Sequence, residues 1–186
     1  MAKKYGVQLV VRSSLNNNEG TIVREEVNME KMLVSGVAAD KNATRIAVIG
    51  LKDEPGIAFH LFNALAKYNI NVDIILQSVG RNGTKDISFT VAEDEADEAV
   101  AIIQKSFPKS EYNKIDEEKD VAKISIVGAG MMTHPGVAAS MFEALYDAGV
   151  NIKMISTSEI RVTVLIDEKY TERALNAVHD KFALGD

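Results

Sequence analysis

Residues 55–78 read PGIAFHLFNALAKYNINVDIILQS, and residues 135–158 repeat the pattern as PGVAASMFEALYDAGVNIKMISTS. The two stretches are identical at nine of 24 aligned positions, including the opening Pro-Gly. Such internal similarity indicates that one structural module occurs twice in the chain. The sequence therefore predicts a fold made of two related copies.

Short segments on both sides of this stretch also repeat. RIAVIG at 45–50 corresponds to KISIVG at 123–128, and DISFTV at 86–91 corresponds to EIRVTV at 159–164. All four are rich in branched residues, which favour β-strands. The repeated stretch itself should end in a further strand in each copy, over 71–79 and 151–158.

Each Pro-Gly pair opens a predicted helix, because the apolar residues that follow recur at the spacing of one helical face. In copy one this stripe consists of Ala58, Leu61, Phe62 and Leu65. Copy two keeps the stripe at the same four positions. A second helix should follow the third strand of each copy, over 94–105 and 168–182.

The order strand, helix, strand, strand, helix needs one more strand to complete a ferredoxin-like βαββαβ unit. Copy one has such a segment at 111–116, whereas the chain ends soon after the second helix of copy two. A spare strand at 31–38, KMLVSGVA, precedes copy one, and we expect it to cross over and complete the sheet of copy two. The predicted fold class is therefore α+β, with two interleaved ferredoxin-like modules. The predicted boundaries are 31–39 for the crossing strand, 40–117 for the first module and 118–186 for the second.

The composition excludes several classes of protein. The chain has 186 residues, no cysteine and a formal net charge of −6 at pH 7. A protein that binds the nucleic-acid backbone needs a basic surface, so no nucleic acid is expected as a partner. A chain without cysteine forms no disulfide, thiolate zinc site or iron–sulfur cluster. The apolar runs are far shorter than a membrane span, so we expect a cytoplasmic protein with no membrane partner.

The sequence offers little for catalysis. The three histidines, His60, His134 and His179, lie on different elements and lack the spacing of metal ligands. Gly128 and Gly130 begin like a dinucleotide-binding fingerprint, but the third glycine of that motif is missing. We therefore predict no catalytic residue, no metal site and no cofactor.

The loop that leads into the first helix is more informative, because it combines opposite charges. The free amides of Gly56, Ile57 and Ala58 would lie at a helix N-terminus, where they favour an anion such as a carboxylate. Asp53, just before them, supplies a negative charge for an ammonium group. Together they fit the two charges of a free amino acid. The alternative is structural, with Asp53 as the helix cap and Pro55 as part of a tight entry.

These motifs resemble a known family. DEPGIAFHLFNALAKYNINVDIILQS with KDISFTV, and VGAGMMTHPGVAASMFEALYDAGVNIKMISTSEIRVTVLID, are similar to the C-terminal tandem ACT domains of aspartokinase. The opening KKYGVQLVVRSSLNNNEGTIV resembles the end of an aspartokinase catalytic domain and its linker, which implies this role for 1–30. The resemblance implies the regulatory β subunit of an α2β2 aspartokinase, or a regulatory piece of the longer enzyme. Since the family's ATP and aspartate motifs lie upstream of this region, the chain alone is not expected to be an enzyme.

The resemblance also implies an effector site between two chains, whose ACT modules pair into larger sheets across a dimer. In this family an end-product amino acid lies where the first ACT module of one chain meets the second module of its partner. The matching residues are Asp53, Gly56, Ile57, Ala58 and Gln77 in the first module and Asn151 and Ile152 in the second. A second family site, often tied to lysine, corresponds to Ser158 and Glu159.

The implied function is allosteric feedback inhibition of aspartate phosphorylation in lysine, threonine and methionine biosynthesis. Threonine is favoured for the Asp53 pocket, and lysine stays an alternative, for which Asp73 or Glu159 would hold the second ammonium group. The implied partners are a second copy of the chain and a catalytic α subunit of aspartokinase. A freestanding ACT-domain amino-acid sensor, not tied to a kinase, is the alternative function.

Overall fold

The computed structural model describes residues 9–11, 21–23, 34–80, 83–132 and 134–184. A short antiparallel pair, β1 (Leu9–Val11) and β2 (Thr21–Val23), comes first, and β3 (Gly36–Asp40) follows. Most of the segment expected to be the end of a kinase domain, 1–30, lies outside the described residues. So do the first three residues of the strand predicted over 31–38.

The first module is a four-stranded antiparallel sheet with two helices. Its elements are β4 (Thr44–Lys52), α1 (Ile57–Ala66), β5 (Ile75–Val79), β6 (Thr84–Val91), α2 (Ala96–Ser106) and β7 (Lys114–Glu118). The strand order is β5-β6-β4-β7, which is the ferredoxin-like arrangement.

The second module takes its fourth strand from the segment that precedes the first module. Its other elements are β8 (Val121–Val127), α3 (Val137–Asp147), β9 (Met154–Thr157), β10 (Arg161–Asp167) and α4 (Thr171–Lys181). The strand order is β3-β8-β10-β9, and Ala38 of β3 lies opposite Ser125 of β8. This pairing confirms the predicted crossing and the α+β class, while the exact module boundaries stay a prediction.

Each helix pair covers one face of its sheet with the predicted apolar stripe. Leu61 and Leu65 of α1 are fully buried, and so are Met141 and Leu145 at the matching positions of α3. Burying one such side chain contributes roughly 1.5–3 kcal/mol, so these stripes hold the helices on the sheets. Both α2 and α4 are preceded by a short 3-10 turn, and α4 begins three residues later than predicted.

Two predicted strands are shorter in the structure. The strand predicted over 71–79 begins at Ile75, because the amide of Ile74 donates to the Thr90 hydroxyl at 3.1 Å instead of to a ladder carbonyl. The strand predicted over 151–158 narrows to β9. It ends before Ser158, because the amide of that residue turns back to donate to the Arg161 carbonyl at 2.8 Å.

The strand that closes the first sheet is displaced. It was predicted over 111–116, before the charged run, but β7 extends through that run to Glu118. Cations from neighbouring elements make this extension favourable. Arg45 of β4 places its Nε 3.0 Å from the Glu118 carboxylate, and Lys153 of the second module contacts the other oxygen of the same carboxylate.

A second lysine also joins the two modules. Lys123 of β8 has its Nζ 2.8 Å from Asp40 and 2.7 Å from Asp73, which belongs to the first module. Burial acts to lower the pKa of Lys123, but its two carboxylate partners outweigh that effect and raise the pKa. A small buried cluster of apolar side chains lies in the same region, formed by Ala43, Ile74, Val121, Met154 and Leu165. The modules are therefore held together by both charge and apolar contact.

Candidate functional site

The candidate site of the first module lies where β4 ends and α1 begins. Asp53 follows the last residue of β4, and its amide donates to the Gly83 carbonyl at 3.1 Å. Its carboxylate is half-exposed and accepts an ion pair from Lys85 of β6, with Nζ 2.7 Å from Oδ1. The predicted ammonium-binding carboxylate therefore lies at one end of the first sheet with a lysine already beside it.

The start of α1 supplies unpaired backbone donors. Gly56 is in the left-handed region with φ of 94°, and no side chain caps the helix. The alternative role of Asp53 as a helix cap is therefore wrong. The Ile57 amide donates to the Glu54 carbonyl at 3.4 Å, whereas the amides of Gly56 and Ala58 have no acceptor within the described chain. Two of the three predicted amides are thus free to bind an anion.

Gln77 lies on the same face of the first sheet as Lys85. It is on β5, opposite Ile87 of β6, while Val79 lies opposite Lys85. Because residues two apart on a strand share a face, Gln77 and Lys85 lie on one face of the sheet. Asp53, Gly56, Ile57 and Ala58 lie together where β4 leads into α1, whereas Gln77 lies in the middle of β5.

The two predicted residues of the second module belong to the connection between α3 and β9. Asn151 is exposed in the loop after α3, and Ile152 packs partly against the second core. Among the described residues, no hydrogen bond or ion pair joins either of them to Asp53. Their part in a site with Asp53 stays a prediction.

The second predicted site is a turn at the edge of the second sheet. Ser158 lines an open cavity of about 470 Å³ on the outer face of that sheet, together with Lys123 and Arg161. Glu159 is exposed in the same turn. Asp73, considered as the partner of a lysine effector's second ammonium group, is instead engaged by Lys123.

Lys85 is the residue of this region that the sequence analysis missed. Its neighbour Asp86 opens a recognisable strand, but nothing local indicates that Lys85 reaches Asp53, 32 positions earlier in the chain. The contact depends on the β4–β6 register, which places Lys85 opposite Leu51. In the sequence, only an antiparallel pairing of RIAVIG with KDISFTV could have indicated the contact between Lys85 and Asp53.

The described part of the chain shows neither a metal-binding cluster nor a membrane-spanning helix. No three His, Cys, Asp or Glu side chains in it are grouped closely enough to hold a metal ion. Within the same ranges no helix is both long enough and apolar enough to cross a membrane.

Comparison with known sequences identifies the type of module. The ACT domain profile matches the chain twice, over residues 46–107 and 124–182. The aspartokinase of Helicobacter pylori is 44% identical over an alignment that takes in 99% of this chain and 46% of that protein. The aspartokinase of Corynebacterium glutamicum is 42% identical over 99% of this chain and 45% of its own length. The chain therefore spans about half the length of these relatives.

Solved structures agree with the sequence matches. The regulatory subunit of aspartate kinase from Thermus thermophilus, in its ligand-free form, superimposes with a TM-score of 0.75 at 42% identity, over 81% of this chain and 99% of that one. A structure of aspartokinase alpha and beta subunits gives the same TM-score at 46% identity, over 81% of this chain and 99% of the matched chain.

Two consecutive ferredoxin-like modules, each matching the ACT profile, define a tandem ACT-domain protein. The chain belongs to the aspartokinase family and corresponds to its regulatory region.

Proposed function

We propose that this chain binds threonine, with lysine as the alternative effector, between its first ACT module and the second module of a partner chain. Binding there would regulate aspartate phosphorylation by a catalytic aspartokinase subunit. The observation that carries this proposal is the arrangement around Asp53. A carboxylate and two unpaired amides, at Gly56 and Ala58, lie within a few residues of one another at one end of the first sheet. These groups match the ammonium and carboxylate of a free amino acid.

The edges of both sheets support pairing between chains. β5 is an edge strand whose five residues are all exposed, including Val79 at 88% and Ile75 at 49%. β9 is one of the two edge strands of the second sheet and exposes Ile155. Unpaired strand edges with apolar side chains are sites at which another chain adds strands. A homodimer through the ACT modules would cover them and bring Asn151 of the partner toward the Asp53 group.

The regulatory mechanism follows from binding at an interface. An effector shifts an equilibrium only by its difference in affinity for the two states. An amino acid held by groups of two chains binds the assembled arrangement better than the separate chains, so it favours that arrangement. A catalytic subunit attached to the modules would respond to this change, and the regulatory chain would contribute no catalysis itself. The relatives, which are full-length aspartokinases, and the solved structure with alpha and beta subunits support such a partner.

Calorimetric titration with threonine and with lysine tests the proposal. We expect saturable binding of at least one of them by the unchanged chain. Asp53→Asn should weaken it by about tenfold or more, because a charge-assisted hydrogen bond is lost. Asp94→Asn, the same substitution at an exposed position before α2, is the matched control and should bind normally. Equal affinity in Asp53→Asn and the unchanged chain would refute the assignment of the site.

A further inference from the structure

Lys85 lies where the proposed effector's ammonium group would bind. Its Nζ is 2.7 Å from the Asp53 carboxylate, and its side chain is only 23% exposed. A lysine ammonium and the α-ammonium of an amino acid are both compact cations with the same preference for a carboxylate oxygen. The charge intended for the effector is therefore already neutralised within the chain.

The position of this lysine is set by the sheet. Lys85 lies in β6 between two paired strands, opposite Leu51 on β4 and Val79 on β5. Asp53 is tied to the same strand region by the hydrogen bond from its amide to Gly83. The backbones of the two residues are thus fixed, and only the flexible lysine side chain is free to swing away.

The internal repeat provides an independent observation. In copy two, Thr133 stands at the position of Asp53. The sheet registers, which shift the third-strand alignment by two residues, put the uncharged Ile160 at the position of Lys85. Both charges are therefore present in copy one and both are missing in copy two. A lysine at this position therefore occurs in the module that has the carboxylate and not in the module that lacks it. This links the role of Lys85 to Asp53.

We propose that Lys85 is a tethered competitor that occupies the ammonium position of the empty pocket and is displaced when the effector binds. This inference rests on the proposed function and concerns the regulation of that site. Lys85 is a positioning residue that sets the effector concentration at which the pocket fills. A ligand with an α-ammonium group must displace it, whereas a ligand without one does not.

The test compares three ligands on three chains. Threonine and its ammonium-free analogue 2,3-dihydroxybutanoate are titrated into the unchanged chain, Lys85→Met and Lys85→Arg, with lysine as a parallel ligand. Lys85→Met should bind threonine about two- to fivefold more tightly, the range expected when a half-exposed ion pair no longer has to be broken. Lys85→Arg should stay close to the unchanged chain. The analogue should show no gain in Lys85→Met, because its binding leaves the lysine in place.

The possible outcomes distinguish failure of the competitor role of Lys85 from failure of the proposed amino-acid site. If Asp53→Asn abolishes binding while Lys85→Met binds threonine equally or more weakly, the pocket is real and the competitor role is overturned. An equal gain for the analogue would overturn it as well, because displacement of the lysine would then not depend on an ammonium group. If the unchanged chain binds neither amino acid, the proposed function fails and this inference fails with it. Lys85→Gln repeats the comparison if Lys85→Met does not fold.

Discussion

At the scale of single residues, Gly50 lies at a backbone position near the site where a larger residue would not fit. Its φ is +78°, and its amide donates to the Asp86 carboxylate at 2.8 Å. A Cβ added there would lie 2.2 Å from Nδ2 of Asn113. Gly136 also has a positive φ, +102°, but a Cβ there would meet nothing within 4 Å. The two glycines therefore differ in crowding while sharing a left-handed backbone.

We expect Gly50→Ala to be the more costly of the two alanine substitutions. Gly136→Ala should lower the free energy of unfolding by about 1–2 kcal/mol, the cost of a left-handed residue with a side chain. Gly50→Ala should lower it by about 2–5 kcal/mol, since overpacking against Asn113 adds to that cost. Guanidinium denaturation of both variants measures the difference. Equal losses would show that the crowding around Gly50 relaxes freely.

The residues of the candidate site divide into those that sequence could reveal and those that it could not. Asp53 and Gly56 lie within four positions of each other, so a local motif was enough to predict them together. The contact of Lys85 with Asp53 depends on strand register, and the proposed approach of Asn151 would depend on a second chain. Contacts of these last two kinds are set by tertiary and quaternary structure, which local patterns do not contain.

At the scale of elements, β7 illustrates how distant charges decide where a strand ends. The sequence analysis places the end of this strand at 116, where the charged run 116–120 begins. Arg45 and Lys153, which lie 73 and 35 positions away from Glu118, neutralise that carboxylate and allow the strand to continue. The internal sequence repeat was enough to predict that these strands and helices exist. Where β7 ends, however, depends on side chains that are distant in the sequence.

This arrangement predicts a specific acid sensitivity. Desolvation acts to raise the pKa of Glu118, but the hydrogen bonds from Lys153 and Arg45 outweigh it and hold the pKa below its ordinary 4.5. A carboxyl group with a lower pKa in the folded state stabilises the fold above 4.5, and that stabilisation is lost as the pH falls through the folded-state pKa. Glu118→Gln should therefore be less stable than the unchanged chain at pH 7, by a few tenths to about 1 kcal/mol.

Denaturation midpoints between pH 7 and pH 3 check this prediction. The difference between Glu118→Gln and the unchanged chain should shrink as the pH falls below 4.5. Glu54→Gln, at an exposed position, is the control and should follow the unchanged chain throughout. A stability difference for Glu118→Gln that does not change with pH would contradict the role given to its charge.

At the scale of the whole molecule, the interleaved strand and the inter-module ion pairs make the two ACT modules one unit. β3 completes the second sheet before the chain enters the first module, so the modules are linked at both ends of module one. Lys123 and Lys153 add charge contacts across their boundary. The proposed effector, which would orient the first module against a partner's second module, would therefore act on both modules of each chain.

Each proposed effector site is shared by two chains, with Asp53 from one and Asn151 from the other. The most direct measurement mixes Asp53→Asn chains with Asn151→Ala chains, allows their dimers to exchange, and counts threonine or lysine sites by calorimetry. Each variant alone should lack intact sites. Half of the dimers in an equal mixture are mixed ones, and each has one intact site, so about a quarter of the sites should return. No recovery on mixing would refute the shared site and would place it within a single chain.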